Sequence, residues 1–146
     1  MQTDERITAL IPHRPPFLWV DRIISMSSER IETEKTFPED LDVFSGHYPG
    51  SPLMPGVLLC ESIFQSGALL LSGSSDLSND RSGQSIPVLT KIADARFKRR
   101  VLPGETIRIT VRLIETVGAL CLLKGTAKVG TEIAVKTEFS CAFIAS

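Results

Sequence analysis

The stretch Pro55-Gly56-Val57-Leu58-Leu59-Cys60-Glu61-Ser62-Ile63-Phe64-Gln65-Ser66-Gly67-Ala68-Leu69-Leu70-Leu71 decides the fold. Proline suits a first helical turn, where no backbone donor is missed. The apolar residues that follow cover most of a helical circumference. A helix apolar all round is a buried one. A small chain satisfies that demand if a sheet wraps round the helix.

The C-terminal half supplies such a sheet. Segments 87–97, 105–117, 120–129 and 132–144 each read as strands. Ile107, Ile109, Val111 and Leu113 alternate with Arg108, Thr110 and Arg112. Ile133, Val135, Thr137, Phe139, Cys141 and Phe143 alternate with Lys136, Glu138 and Ser140. Period-two patterning with one polar face implies an antiparallel sheet covered on one side. Pro103-Gly104, Val117-Gly118 and Gly130-Thr131 read as the turns. The predicted architecture is α+β: one long central helix wrapped by an antiparallel β-sheet.

Upstream, Asp4 to Leu10 reads as a short helix capped by Thr3. Phe17 to Ser25 and Arg30 to Phe37 read as paired strands. Residues 38–55 hold four prolines and two glycines and read as an irregular loop. Ser72 to Ser85 is rich in Ser, Gly, Asn and Asp and reads as a surface loop. With 146 residues and no dividing linker, one domain spanning 1–146 is expected.

Charge and composition narrow the function. Sixteen basic residues stand against seventeen acidic ones, a net charge of -1. That balance argues against bulk attraction to nucleic acid or anionic lipid. No uninterrupted apolar run reaches the ~20 residues of a membrane span, and the polar start Met1–Arg6 does not open a secretory signal. Cys60, Cys121 and Cys141 form no CxxC pair and sit in apolar stretches, which reads as a reducing, cytoplasmic setting without structural zinc.

Two histidines exist, His13 and His47. His47 stands in Phe44-Ser45-Gly46-His47-Tyr48-Pro49-Gly50, a loop stiffened by Gly and Pro, which suits a positioned base. Taken alone, it reads first as an ordinary loop histidine hydrogen-bonded to backbone, and only its context points to a base. Glu61 lies on the apolar helix. Carboxylates there are either paired or functional, so a structural ion pair with an arginine competes with a catalytic acid. Gln65, one turn on, can orient it. Gly56 at the helix start offers a backbone N–H to an oxygen gaining negative charge. Together a base, an acid and an oxyanion donor beside an apolar wall make the kit for removing a proton α to a carbonyl and expelling a β-hydroxyl. Lys98-Arg99-Arg100 is the basic cluster, readable as a solvated strand end or as a docking patch for an acidic partner.

At these residues the chain resembles the (3R)-hydroxyacyl-[acyl carrier protein] dehydratases of fatty-acid synthesis, the FabZ family. Gly46-His47-Tyr48-Pro49-Gly50-Ser51-Pro52-Leu53-Met54-Pro55-Gly56-Val57-Leu58, followed by Glu61 and Gln65, is similar to the family's central signature, and Glu61 falls fourteen positions after His47. Pro12-His13-Arg14-Pro15-Pro16-Phe17-Leu18-Trp19-Val20-Asp21-Arg22 and Phe97-Lys98-Arg99-Arg100-Val101-Leu102-Pro103-Gly104-Glu105 resemble its two flanking stretches. Tyr48 and Pro15 depart from it.

The resemblance implies a hot-dog fold, with His47 as catalytic base and Glu61 as its partner at the hydroxyl. It implies the Gly56 N–H as oxyanion donor and the Leu53 carbonyl as the acceptor that orients His47. Phe64, Ile63 and Phe97 are expected at the acyl tunnel, and Lys98, Arg99 and Arg100 at the carrier-protein dock. A homodimer with shared active sites is implied, assembled as a trimer of dimers, with no metal or organic cofactor. A hot-dog thioesterase, a dehydratase of a specialised lipid or polyketide pathway, and a non-catalytic acyl-binding module stand as the competing readings.

Overall fold

The computed structural model describes residues 4–73 and 85–145. In chain order the elements are α1 (Glu5–Leu10), β1 (Arg22–Met26), β2 (Arg30–Thr36), α2 (Val43–Gly46), α3 (Gly56–Gly73), β3 (Ser85–Phe97), β4 (Thr106–Val117), β5 (Leu120–Val129) and β6 (Glu132–Ala145). The six strands form one antiparallel sheet in the order β1-β2-β4-β5-β6-β3.

Helix α3 lies against this sheet, and Leu59, Cys60 and every residue from Ser62 to Leu71 are buried. Its eighteen residues are apolar enough to cross a membrane, yet 67% of them are buried inside the protein, as a core helix requires. Ile31, Ile107, Ile109, Val111, Val135 and Phe139 face it from the strands. One interior polar contact crosses the layer, Thr33 Oγ1 to Ser66 Oγ at 2.8 Å. The approach is close because β5 carries Gly125 where α3 carries Ile63. A Cβ at Gly125 would collide with the Ile63 side chain.

Several boundaries depart from the sequence reading, each for a visible reason. The first strand starts at Arg22, not Phe17. The backbone of 17–19 bonds to the Gln65 side chain instead of a neighbouring strand. Asp4, not Thr3, caps α1. Its Oδ1 accepts the Arg6 N–H at 3.0 Å while Oδ2 takes the Arg6 guanidinium. The 38–55 loop contains the single-turn helix α2, pinned by buried Phe44. Pro55 stands just outside α3 and its carbonyl accepts the N–H groups of Leu58 and Leu59. The predicted loop from Ser72 to Ser85 is helical at Ser72 and Gly73 and strand at Ser85, and its remainder lies outside the described residues.

Gly125→Ala should lower stability by about 1–3 kcal/mol in a denaturant titration, because buried Ile63 must move. Gly46→Ala, which meets nothing within 4 Å, should stay within about 0.5 kcal/mol. The Arg6 side chain holds the Asp4 carboxyl down from 3.8 to about 2. A depressed carboxyl stabilises above its unfolded pKa, and that share is lost as pH falls from about 4 to about 2. Asp4→Ala should therefore flatten acid unfolding across that window.

Candidate active site

His47 follows α2, half-buried, with its Nδ1 2.9 Å from the carbonyl oxygen of Leu53. A carbonyl only accepts, so Nδ1 carries the proton and Nε2 presents a lone pair. This is the tautomer a general base needs. The supporting loop is fixed at several points. Met54 is fully buried and its N–H donates to Val101 O at 2.8 Å. Tyr48 adopts a φ of 56°, a left-handed conformation uncommon outside glycine. Its ring stands 4.6 Å from that of His47. Backbone strain beside a poised imidazole is the kind of cost that functional loops carry.

Gly56 opens α3, where the first backbone N–H groups have no helical acceptor. The Phe97 ring lies over it, and a Cβ there would sit 2.6 Å from Phe97 Cε1. Leu53, Gly56, Val57 and Phe97 line an open cleft of about 760 Å³ whose rim is Lys98, Arg99 and Arg100. Those three cations differ in availability. Arg99 makes two 3.0 Å bonds to the Glu105 carboxylate and reaches Glu132 at 3.5 Å. Its guanidinium holds Glu105 below the usual carboxylate range. Lys98 and Arg100 point outward and are exposed. Arg99 thus braces the rim from within the chain, whereas Lys98 and Arg100 stand exposed beside it.

Glu61 occupies a second pocket of about 250 Å³, shared with Pro12, His13, Phe64, Gln65, the first residues of strand β3 and Cys141. It is half-buried, and among the described residues no arginine is paired with it. Gln65 Nε2 donates to Glu61 Oε2 at 3.0 Å, and His13 Nε2 lies 3.8 Å from the same oxygen. Gln65 is itself locked, since its Nε2 also donates to Phe17 O and its Oε1 accepts from Trp19 N. Burial pushes the Cys141 thiol up to about 12, so it stays neutral. Phe64 lines the pocket, its ring 4.8 Å from Phe139. Ile63 does not. It packs on Gly125 inside the core, one helical position round from the pocket.

Within one chain these residues stand at different pockets. Leu53 and Gly56 line the open cleft and Glu61 lines the smaller pocket, while His47 is joined to the first group through its bond to the Leu53 carbonyl. His13 was not singled out from the residues, although it is the other of only two histidines and lies in a quoted motif. Among the described residues no group of three His, Cys, Asp or Glu side chains is placed to hold a metal ion.

The model of the FabA-like domain family matches residues 11–138. A 3-hydroxyacyl-[acyl-carrier-protein] dehydratase FabZ of Symbiobacterium thermophilum is 37% identical over 136 residues, 92% of each chain. Its namesake from Caulobacter vibrioides is 39% identical over 144 residues, covering 96% of this chain and 89% of the relative. Among solved structures, the dehydratase heterocomplex ApeI:P of Xenorhabdus doucetiae superposes with a TM-score of 0.80 at 13% identity, covering 96% of this chain and 91% of that one. A hypothetical thioesterase of Streptococcus pneumoniae, solved with coenzyme A, gives 0.65 at 11% identity over 86% of each. These structures share the hot-dog fold. By the family match and the extent of identity, the chain belongs to the FabA-like family, among its FabZ 3-hydroxyacyl-[acyl-carrier-protein] dehydratases.

Proposed function

We propose that the protein dehydrates (3R)-3-hydroxyacyl-[acyl carrier protein] to the trans-2-enoyl thioester in fatty-acid biosynthesis, in active sites each shared between two copies of the chain. The observation that carries this reading is the His47 imidazole, locked by the Leu53 carbonyl with Nε2 free, next to the helix start at Gly56.

The steps follow from the groups. His47 Nε2 takes the proton from C2 of the thioester. The charge moving onto the carbonyl oxygen meets the Gly56 N–H at the positive end of α3. The C3–O bond breaks, and the hydroxyl leaves as water with a proton from Glu61. The electrons of the C2–H bond become the new C2=C3 bond. His47 ends with one proton more and Glu61 with one fewer, so a transfer between them resets the site. These steps use side chains and one backbone amide, with no organic cofactor.

The need for a second copy is supported by the two pockets, since among the described residues the cleft at Leu53 and Gly56 and the pocket at Glu61 have no lining residue in common. Two surfaces favour it. Val57, beside Gly56, is 73% exposed although it opens the core helix. Strand β3 forms a thirteen-residue sheet edge with Leu89, Ile92 and Phe97 exposed along it. Long apolar edges are normally covered. Pairing β3 with its copy covers that edge, and three such dimers form the full assembly. Lys98 and Arg100 then flank the cleft as docking cations for the acidic carrier protein, in the cytoplasm.

In a crotonyl-thioester hydration assay, His47→Ala and Glu61→Gln should each lower turnover by at least ~100-fold while the thermal midpoint is kept. Near-native rates would remove the assignment, and release of free thiol without dehydration would favour a thioesterase instead. Lys98→Glu with Arg100→Glu should raise KM for carrier-linked substrate about 10-fold or more and leave short free thioesters unaffected. Arg99→Ala should lower the thermal midpoint measurably, because it removes the guanidinium partner of Glu105, whereas Lys98→Ala should leave the midpoint unchanged.

A further inference from the structure

The Glu61 carboxyl is held asymmetrically. Both neighbouring donors converge on Oε2, Gln65 Nε2 at 3.0 Å and His13 Nε2 at 3.8 Å. Gln65 has no freedom to turn away, because its remaining bonds go to the backbone of residues 17 and 19. His13 is similarly placed by its own segment. The Arg14 guanidinium beside it donates to the carbonyls of Thr8, Ile11 and His13 at 2.7–2.8 Å, tying 8–13 into one unit.

The ring's other nitrogen identifies its proton. His13 Nδ1 is buried and has no hydrogen-bond partner among the described residues. A proton there would be a buried donor without an acceptor, which costs more than an unused lone pair. The proton therefore belongs on Nε2, aimed at Glu61. At 3.8 Å the contact is longer than a hydrogen bond, within the range that catalytic contacts close when substrate binds. The thiols of Cys60 and Cys141, both raised by burial, are the other titratable groups near Glu61.

We propose that His13 is a positioning residue: together with Gln65 it claims Oε2 of Glu61, so that the carboxyl meets the departing hydroxyl through Oε1 alone. This rests on the reading of Glu61 as the group at that hydroxyl. A carboxyl fixed by two donors on one oxygen cannot rotate, and fixed geometry is where much of a catalytic group's effect resides. It also explains why a half-exposed imidazole is aimed inward at a pocket when solvent is within reach.

Side-chain replacement at His13 separates positioning from structure. A Gln amide nitrogen falls near the place of Nε2, whereas an Asn nitrogen falls near Nδ1. His13→Ala and His13→Asn should each lower kcat for crotonyl-thioester hydration ~10-fold with KM within about 2-fold, and His13→Gln should recover most of the loss. The thermal midpoint should hold in all three. In a Glu61→Gln background, His13→Ala should cost less than about 2-fold more, since the two residues act as one unit. An equal loss in both backgrounds, or Gln failing as badly as Asn, would overturn the proposal. A Glu61→Gln enzyme of near-native rate would instead overturn the role of Glu61, a distinct result.

Discussion

The burial of α3 against the sheet is the constraint on which everything else depends. Close contact between Ile63 and Gly125 seats the helix, and the twelve buried residues around it form the core. That seating fixes two chemically different points on one rigid element. The first turn presents backbone N–H at Gly56. The second turn presents the Glu61 carboxyl, facing away from Ile63 into a pocket. Because they stand five positions apart on one rigid helix, neither can drift relative to the other.

The same rigidity ties the two groups to different parts of the chain. His47 is tied through Leu53 to the segment entering α3, so it shares the Gly56 end. Glu61 is tied through Gln65 to the segment 17–19 and faces His13, so it shares the N-terminal side. An elimination needs the base and the acid on one substrate. An apolar β3 edge and an exposed Val57 supply the surface on which two copies would bring them together.

Much of this was legible in the residues, and the failures are informative. A helix apolar on all sides, followed by strands alternating every second residue, specified helix-in-sheet packing, and the six-stranded order agrees with it. The His47-to-Glu61 spacing and the Pro55-Gly56 start marked the candidate site. What was hidden depends on contacts far apart in sequence. Nothing local reveals that Gln65 takes the backbone bonds of Phe17 and Trp19, which shortens β1. The charge of Arg99 looks free until Glu105 and Glu132 are seen folded over it. Ile63 and Phe64 are adjacent and both apolar. Only the helix phase sends one to the core and the other to the pocket.

The sharing of active sites is tested most directly by mixing two disabled chains. His47→Ala and Glu61→Gln proteins, each inactive alone, would be unfolded together in equal amounts, refolded, and assayed for hydration of a crotonyl thioester. Half the dimers should be mixed, each with one intact site, so activity should return to about a quarter of wild type. A mixture as inactive as its parents, with mixed dimers demonstrated by mass, would show that His47 and Glu61 do not meet across copies and would contradict the account.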